Sequence, residues 1–191
     1  MAVAALYPLW GALLGGAGVA VFIRASPLIP SVSAALWLLI TWILLAAAEG
    51  RFLHVPGWRH VLGAAVISPV WFYVLGSANP TRLVLVALAA HSVSRASVIA
   101  MAWVSRPSQE GMALSKKLDS FSAGFAIACG GVAAFLCGIR PAVLMLLLAF
   151  LILRLARQWY YHNLGGINAT ALSLTQRTTE LSTLLIAVFV R

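Results

Sequence analysis

Long apolar runs separated by short polar breaks make up almost the whole chain. Crossing the hydrocarbon core of a bilayer takes about 20 consecutive apolar residues. Seven runs have roughly that size, at about 4–23, 31–48, 61–77, 83–105, 121–138, 142–157 and 170–190. In lipid every backbone N–H and C=O must be satisfied internally, so only helices and closed barrels span, and runs this long and apolar are helical. The pattern therefore predicts an all-α, polytopic membrane helical bundle of about six to seven transmembrane helices. Residues 1–191 form a single integral-membrane domain in this reading.

The breaks give each run its character. The first run is rich in glycine (Gly11, Gly15, Gly16 and Gly18) and ends at Arg24 and the turn between Pro27 and Pro30, so a second helix can approach it closely. The fourth carries His91, Ser92, Ser94, Arg95 and Ser97 in its middle. The fifth and sixth are separated only by Gly138-Ile139-Arg140-Pro141, which predicts a helical hairpin. The seventh is polar in its first half, from Thr175 to Glu180, and apolar from Leu181 to Val190. The aromatic groups Trp71-Phe72-Tyr73 and Trp159-Tyr160-Tyr161 are expected at the membrane interface.

Composition excludes other classes. Of the 191 residues, 62% are hydrophobic and 9% charged, against about a quarter charged in a soluble domain. The same numbers rule out a disordered chain. Cys129 and Cys137, the two cysteines, share one apolar run, so no disulfide framework is expected. The net charge of +9 is mostly topological. Arg51, Arg59, Arg106, Lys116, Lys117, Arg154 and Arg157 follow even-numbered runs, and Arg24, Arg82 and Arg140 follow odd-numbered ones, a bias of seven to three. By the positive-inside rule the N-terminus and the longer loops face the cytoplasm. The remaining charge attracts anionic lipid, and no nucleic-acid partner is needed to explain it.

Ionisable residues at bilayer depth are costly and need a reason. His91 and Arg95, one helical turn apart, are read as an anion-binding group facing a polar cavity, or as a packing pair with Glu180. Glu180 is a candidate metal ligand and equally a partner for Arg95 or Arg177. The loop from Arg106 to Asp119 holds Glu110 and Asp119 beside Lys116 and Lys117, a set suited to phosphate oxygens and a divalent cation, or simply a solvated connection. Gly165, Gly166 and Asn168 precede a helix start, where backbone N–H groups suit an anion, or they form a plain turn. No zinc spacing, P-loop, nucleophile elbow or metalloprotease motif occurs.

Three stretches resemble the cobalamin synthase family, the adenosylcobinamide-GDP ribazoletransferases. Tyr7-Pro8-Leu9-Trp10-Gly11-Ala12-Leu13-Leu14-Gly15 is similar to the family's early helix. Ser94-Arg95, Pro107 and Glu110-Gly111-Met112 resemble its S-R helix and following loop. Leu164-Gly165-Gly166-Ile167-Asn168-Ala169-Thr170-Ala171-Leu172 with Glu180 resembles its terminal glycine motif and distal glutamate. The resemblance implies a multi-pass enzyme of the bacterial inner membrane, with its motif loops facing the cytoplasm. It would join α-ribazole or its phosphate to adenosylcobinamide-GDP, release GMP and use magnesium. The implied phosphate and nucleotide residues are Arg95, Lys116, Lys117, Gly165, Gly166 and Asn168, and the implied metal ligands are Glu49, Glu110, Asp119 and Glu180. The family's aspartate-rich stretch after the second helix stands here as Ala46-Ala47-Ala48-Glu49-Gly50-Arg51-Phe52-Leu53-His54, without an aspartate. That departure supports an alternative: a catalytically inactive paralogue acting as a noncatalytic membrane subunit or binding protein, with a partner subunit or as a homo-oligomer.

Overall fold

A computed structural model describes residues 2–25, 36, 40, 69–71, 73, 80–107 and 118–190. Among these the chain forms α1 (Ala2–Ala5), α2 (Tyr7–Ala25), α3 (Pro80–Val104), α4 (Ser120–Ala134), α5 (Ile139–Leu164) and α6 (Ala169–Phe189), with a single 3-10 turn at Phe135–Cys137. Among the described residues four segments are long and apolar enough to cross a membrane: Tyr7–Arg24, Arg82–Val104, Ser120–Cys137 and Ile139–Leu164. The all-helical membrane fold read from the sequence is thus present. The expected runs at 31–48 and 61–77 lie almost wholly outside the described residues.

Local chemistry sets the helix ends. Asp119 N-caps α4, its side chain accepting the Ser122 N–H at 3.2 Å. Gly138, at φ 104°, reverses the chain between the 3-10 turn and α5, and Pro141 fits the first turn of α5, where its missing N–H costs nothing. The run expected at 142–157 is the middle of a 26-residue helix, because Arg154, Arg157 and Gln158 are good helix formers and no breaker occurs before Gly165. Gly165 closes α5 in the left-handed conformation at φ 67°. Asn168 then caps α6 by accepting the Ala171 N–H at 2.9 Å.

Helix α3 is the axis, with α2, α4, α5 and α6 all packed against it. Two apolar clusters fill the bundle. One joins Leu83, Val86, Ala87, Ala90 and Val93 of α3 to Val19 and Phe22 of α2, Ala142 and Met145 of α5, and Leu184 and Ala187 of α6. The other joins Val98, Ile99, Met101 and Ala102 to Ala4 and Tyr7, Ala123 and Ala126, Tyr160, and Ala171 and Leu172. The early part of α3 therefore meets the late parts of α2 and α6, which run antiparallel to it, while α5 runs parallel. Arg82 confirms that register by donating to the Ala187 carbonyl at 2.9 Å, placing a cation at the C-terminal end of α6. The outer faces of α4 and α5 are greasy, with Phe121, Phe125, Val132, Leu147, Phe150 and Leu155 exposed. Such a surface suits contact with lipid.

Polar α6 hides its hydroxyls. Thr175, Thr178, Thr179, Ser182 and Thr183 each donate to the carbonyl four residues earlier, at 2.7–2.9 Å. Glycine sets how closely α4 approaches α3: a Cβ on Gly130 would stand 2.3 Å from the Ala96 Cβ, whereas one on Gly124 would meet nothing within 4 Å. Gly130→Ala should therefore destabilise the bundle by about 1–3 kcal/mol through overpacking. Gly124→Ala should be neutral or stabilising by up to ~1 kcal/mol through helix propensity. Thermal unfolding of both variants in the same detergent checks the pair.

Candidate functional site

Between the two apolar clusters lies a layer of buried polar side chains. His91, Ser92, Ser94, Arg95 and Ser97 come from α3, and Thr175, Gln176, Arg177, Thr179, Glu180 and Thr183 from α6. Arg95 is fully buried. Its Nη1 donates to the His91 carbonyl at 3.1 Å and stands 3.3 Å from His91 Nδ1, and its guanidinium lies 5.6 Å from the centre of the Tyr7 ring. His91 Nδ1 is also 3.5 Å from Glu180 Oε1. The imidazole thus links arginine to carboxylate: with its proton on Nε2 it accepts from Arg95, and with a proton on Nδ1 it donates to Glu180.

Glu180 is the centre of this layer. Trp71 Nε1 donates to its Oε1 at 3.3 Å, and Arg177 Nη1 lies 3.5 Å from its Oε2. Trp71 stacks on His91 at 5.4 Å between ring centres and 17° between planes. Gln176 accepts from the Tyr7 hydroxyl at 3.3 Å, and Ser92 donates to the Pro8 carbonyl at 3.2 Å, which ties α2 to the layer. The close approach of α2 depends on glycine. A Cβ on Gly11 would fall 2.5 Å from Arg95 Cδ, and one on Gly15 would fall 2.6 Å from His91 Cδ2.

The sequence expectations divide accordingly. Glu180 pairs with Arg177, one of the partners expected for it, and meets Arg95 through His91. Trp71 is not an interfacial residue: it is 3% exposed, because its indole N–H finds Glu180 and its ring finds His91. Tyr160 is likewise buried, while Trp159 and Tyr73 are exposed. Tyr7, Trp71 and Gln176 belong to the layer although sequence reasoning gave none of them a role there. The i, i+3 spacing of Arg177 and Glu180 was the one readable sign.

The other candidate residues gather at one end of the bundle. There the Ile167 N–H donates to the Arg106 carbonyl at 3.1 Å, and Pro107 and Ile167 form a parallel bridge. The Arg106 N–H donates to the Tyr161 hydroxyl. The glycine turn at 165–166 and the start of the 106–119 loop are therefore joined through their backbones. Asn168 Oδ1 is engaged in capping α6, and Asp119 in capping α4. Hydrogen bonds from Ser122 hold the Asp119 carboxyl below its ordinary value. Lys116, Lys117, Glu49 and Glu110 lie outside the described residues.

Among the described residues no three His, Cys, Asp or Glu side chains come together as a metal site. Glu180 faces an arginine, an indole N–H and an imidazole, and Asp119 is turned to its own helix.

A family model described as cobalamin-5-phosphate synthase matches residues 57–188, which include α3, α4, α5 and nearly all of α6. No curated protein and no solved structure matches the chain.

Removing the Glu180 carboxylate leaves Arg177 and His91 facing one another in an enclosed layer. Breaking a buried pair in this way costs about 3–5 kcal/mol, so Glu180→Ala should lose its folded, monodisperse state in detergent at temperatures that wild type survives. Trp71→Phe keeps an aromatic ring beside His91 but loses a hydrogen bond and part of the buried indole, so it should cost less, about 1–3 kcal/mol. Thermal size-exclusion profiles separate the two outcomes. The lowered Asp119 carboxyl adds stability that is present above the ordinary carboxylate range and lost as pH falls through its folded value. Asp119→Asn should therefore flatten the acid side of the melting profile, and melting curves taken downward from neutral pH test this.

Proposed function

The chain belongs to the cobalamin-5-phosphate synthase family, and on that premise we propose that it joins α-ribazole or its phosphate to adenosylcobinamide-GDP with release of GMP. The observation that carries this reading is the backbone junction between Arg106–Pro107 and Ile167. It brings two stretches that resemble the family's loop and glycine motifs, far apart in sequence, to one end of the bundle.

An oxygen of the ribazole attacks the phosphorus that carries the cobinamide, a new P–O bond forms, and the diphosphate P–O bond breaks so that GMP leaves. The nucleophile's proton passes to water or buffer. Negative charge on the diphosphate must be neutralised for this to proceed. Lys116 and Lys117 on the loop, the backbone N–H groups at Gly165 and Gly166, and Asn168 are assigned to that task. Arg95 lies nine residues before Val104, where α3 ends, about 14 Å below that end. It contributes positive charge beneath the site and fixes α2 against α3. The magnesium implied by the resemblance falls to Glu49, Glu110 and the substrate's own phosphate oxygens.

In this proposal residues 1–191 act as one domain in a bacterial inner membrane, with the N-terminus and the Arg106–Ile167 end facing the cytoplasm. The seven-to-three bias of basic residues supports that orientation. The missing aspartates at 46–54 favour the second reading, a noncatalytic member of the family that binds substrate for a partner subunit.

Purified protein in nanodiscs, supplied with adenosylcobinamide-GDP, α-ribazole and magnesium, should release GMP and form the cobalamin product in equal amounts. Lys116→Ala with Lys117→Ala should lower kcat/KM about 100-fold, as expected for lost charge stabilisation of a transferring phosphoryl group. Binding of cobinamide-GDP without GMP release would overturn the transferase reading in favour of the noncatalytic one.

A further inference from the structure

We propose that the groove between α3 and α5 is a binding site for an anionic phospholipid, with the phosphate held by Arg154 and Arg157 and one acyl chain laid along Phe150 and Leu153. The open groove has a volume of about 670 Å³ and is lined by Ala100 and Val104 of α3 and by Phe150, Leu153, Arg154, Arg157, Gln158 and Tyr161 of α5. That volume falls within the usual range of ligand pockets, roughly 300–1,000 Å³. The proposal is independent of the reaction assigned above.

The α5 lining residues recur at intervals of three and four, so they form one face of the helix. Along that face the chemistry changes once, from apolar at Phe150 and Leu153 to cationic at Arg154 and Arg157. Depth agrees with the change. Arg140, in the first turn of α5, and Arg157 are seventeen residues apart, about 26 Å along the axis, close to the roughly 30 Å of a hydrocarbon core. If Arg140 marks one boundary of the bilayer, Arg154 and Arg157 reach the other. The exposed indole of Trp159 sits at the same level.

Neither Arg154 nor Arg157 has a carboxylate partner among the described residues, whereas the deep arginine Arg177 does. Arg157 is instead held over the Tyr161 ring at 5.4 Å, which fixes its guanidinium at the rim of the groove. Two guanidiniums one turn apart match a phosphodiester. A free phosphate would use only that cationic half. The apolar half continues onto the exposed, lipid-facing surface of α5 at Leu147 and Leu151, which selects a ligand delivered from the bilayer.

The test is native mass spectrometry of the full chain in detergent with equal amounts of phosphatidylglycerol and phosphatidylcholine. Wild type should retain phosphatidylglycerol about ten-fold or more over phosphatidylcholine, the scale expected from two basic residues near a headgroup. Arg154→Gln with Arg157→Gln should abolish the preference while leaving lipid-free melting unchanged. Arg24→Gln with Arg140→Gln, which alters exposed arginines elsewhere, should keep it. Ala100→Phe, which fills the apolar half and leaves both arginines in place, should weaken retention of both lipids, and inorganic phosphate should not displace bound phosphatidylglycerol. Equal retention of the two lipids by wild type, a preference that survives the Arg154/Arg157 change or is lost in the Arg24/Arg140 control, full retention by Ala100→Phe, or displacement by inorganic phosphate would each overturn the proposal.

Discussion

A guanidinium and a carboxylate at bilayer depth must be enclosed and paired, and the arrangement of helices around α3 follows from that requirement. Moving an isolated charge out of water costs several kcal/mol even after relaxation. Here the cost is met by geometry. Gly11 and Gly15 let the backbone of α2 lie against Arg95 and His91, Trp71 covers the imidazole, and α6 brings Glu180 and Arg177 in from the other side. An ordinary side chain at either glycine would hold α2 away and open the layer.

Two groups of charged residues thus differ in their physics. Those of the central layer meet one another across helices and are shielded from solvent, so they set register and rigidity. At the Arg106–Ile167 end Arg106 is exposed, while Gly166 and Ile167 of the turn bonded to it are buried. Asp119 and Asn168 spend their side chains on helix starts there, which fixes where α4 and α6 begin and so fixes the positions of the turns between helices. A rigid interior below a rim of loops is the arrangement expected of a scaffold that carries its chemistry at one end.

Much of this could be read from the residues. Long apolar runs gave the helices, and Gly138 with Pro141 gave the hairpin between α4 and α5. The glycines of the first run announced a close neighbour, because little else explains so many in one apolar helix. The two polar patches, around His91 and around Glu180, stood out at bilayer depth. What the residues did not reveal is which patch faced which. Tyr7 and Gln176 are 169 positions apart and Trp71 and Glu180 are 109 apart, and no local period encodes such a meeting. Trp71 was misread for the same reason, since an indole belongs at the interface only while its N–H lacks a buried acceptor. The extra length of α5 was hidden by its charges, which interrupt an apolar run without interrupting a helix.

The polarity of α6 bears on how the protein is made. Its hydroxyls are bonded within the helix and Arg177 pairs with Glu180 on the same helix, but Glu180 gains its contacts with His91 and Trp71 only when α6 docks. A segment of this kind is costly to place in lipid by itself. Because α6 is synthesised after α3, its docking partner already waits in the bilayer when it emerges, and lateral release of α6 becomes an act of assembly. Helix α6 thus serves as a closing piece against α3, and a chain that fails to seat it leaves Arg177 and Glu180 exposed.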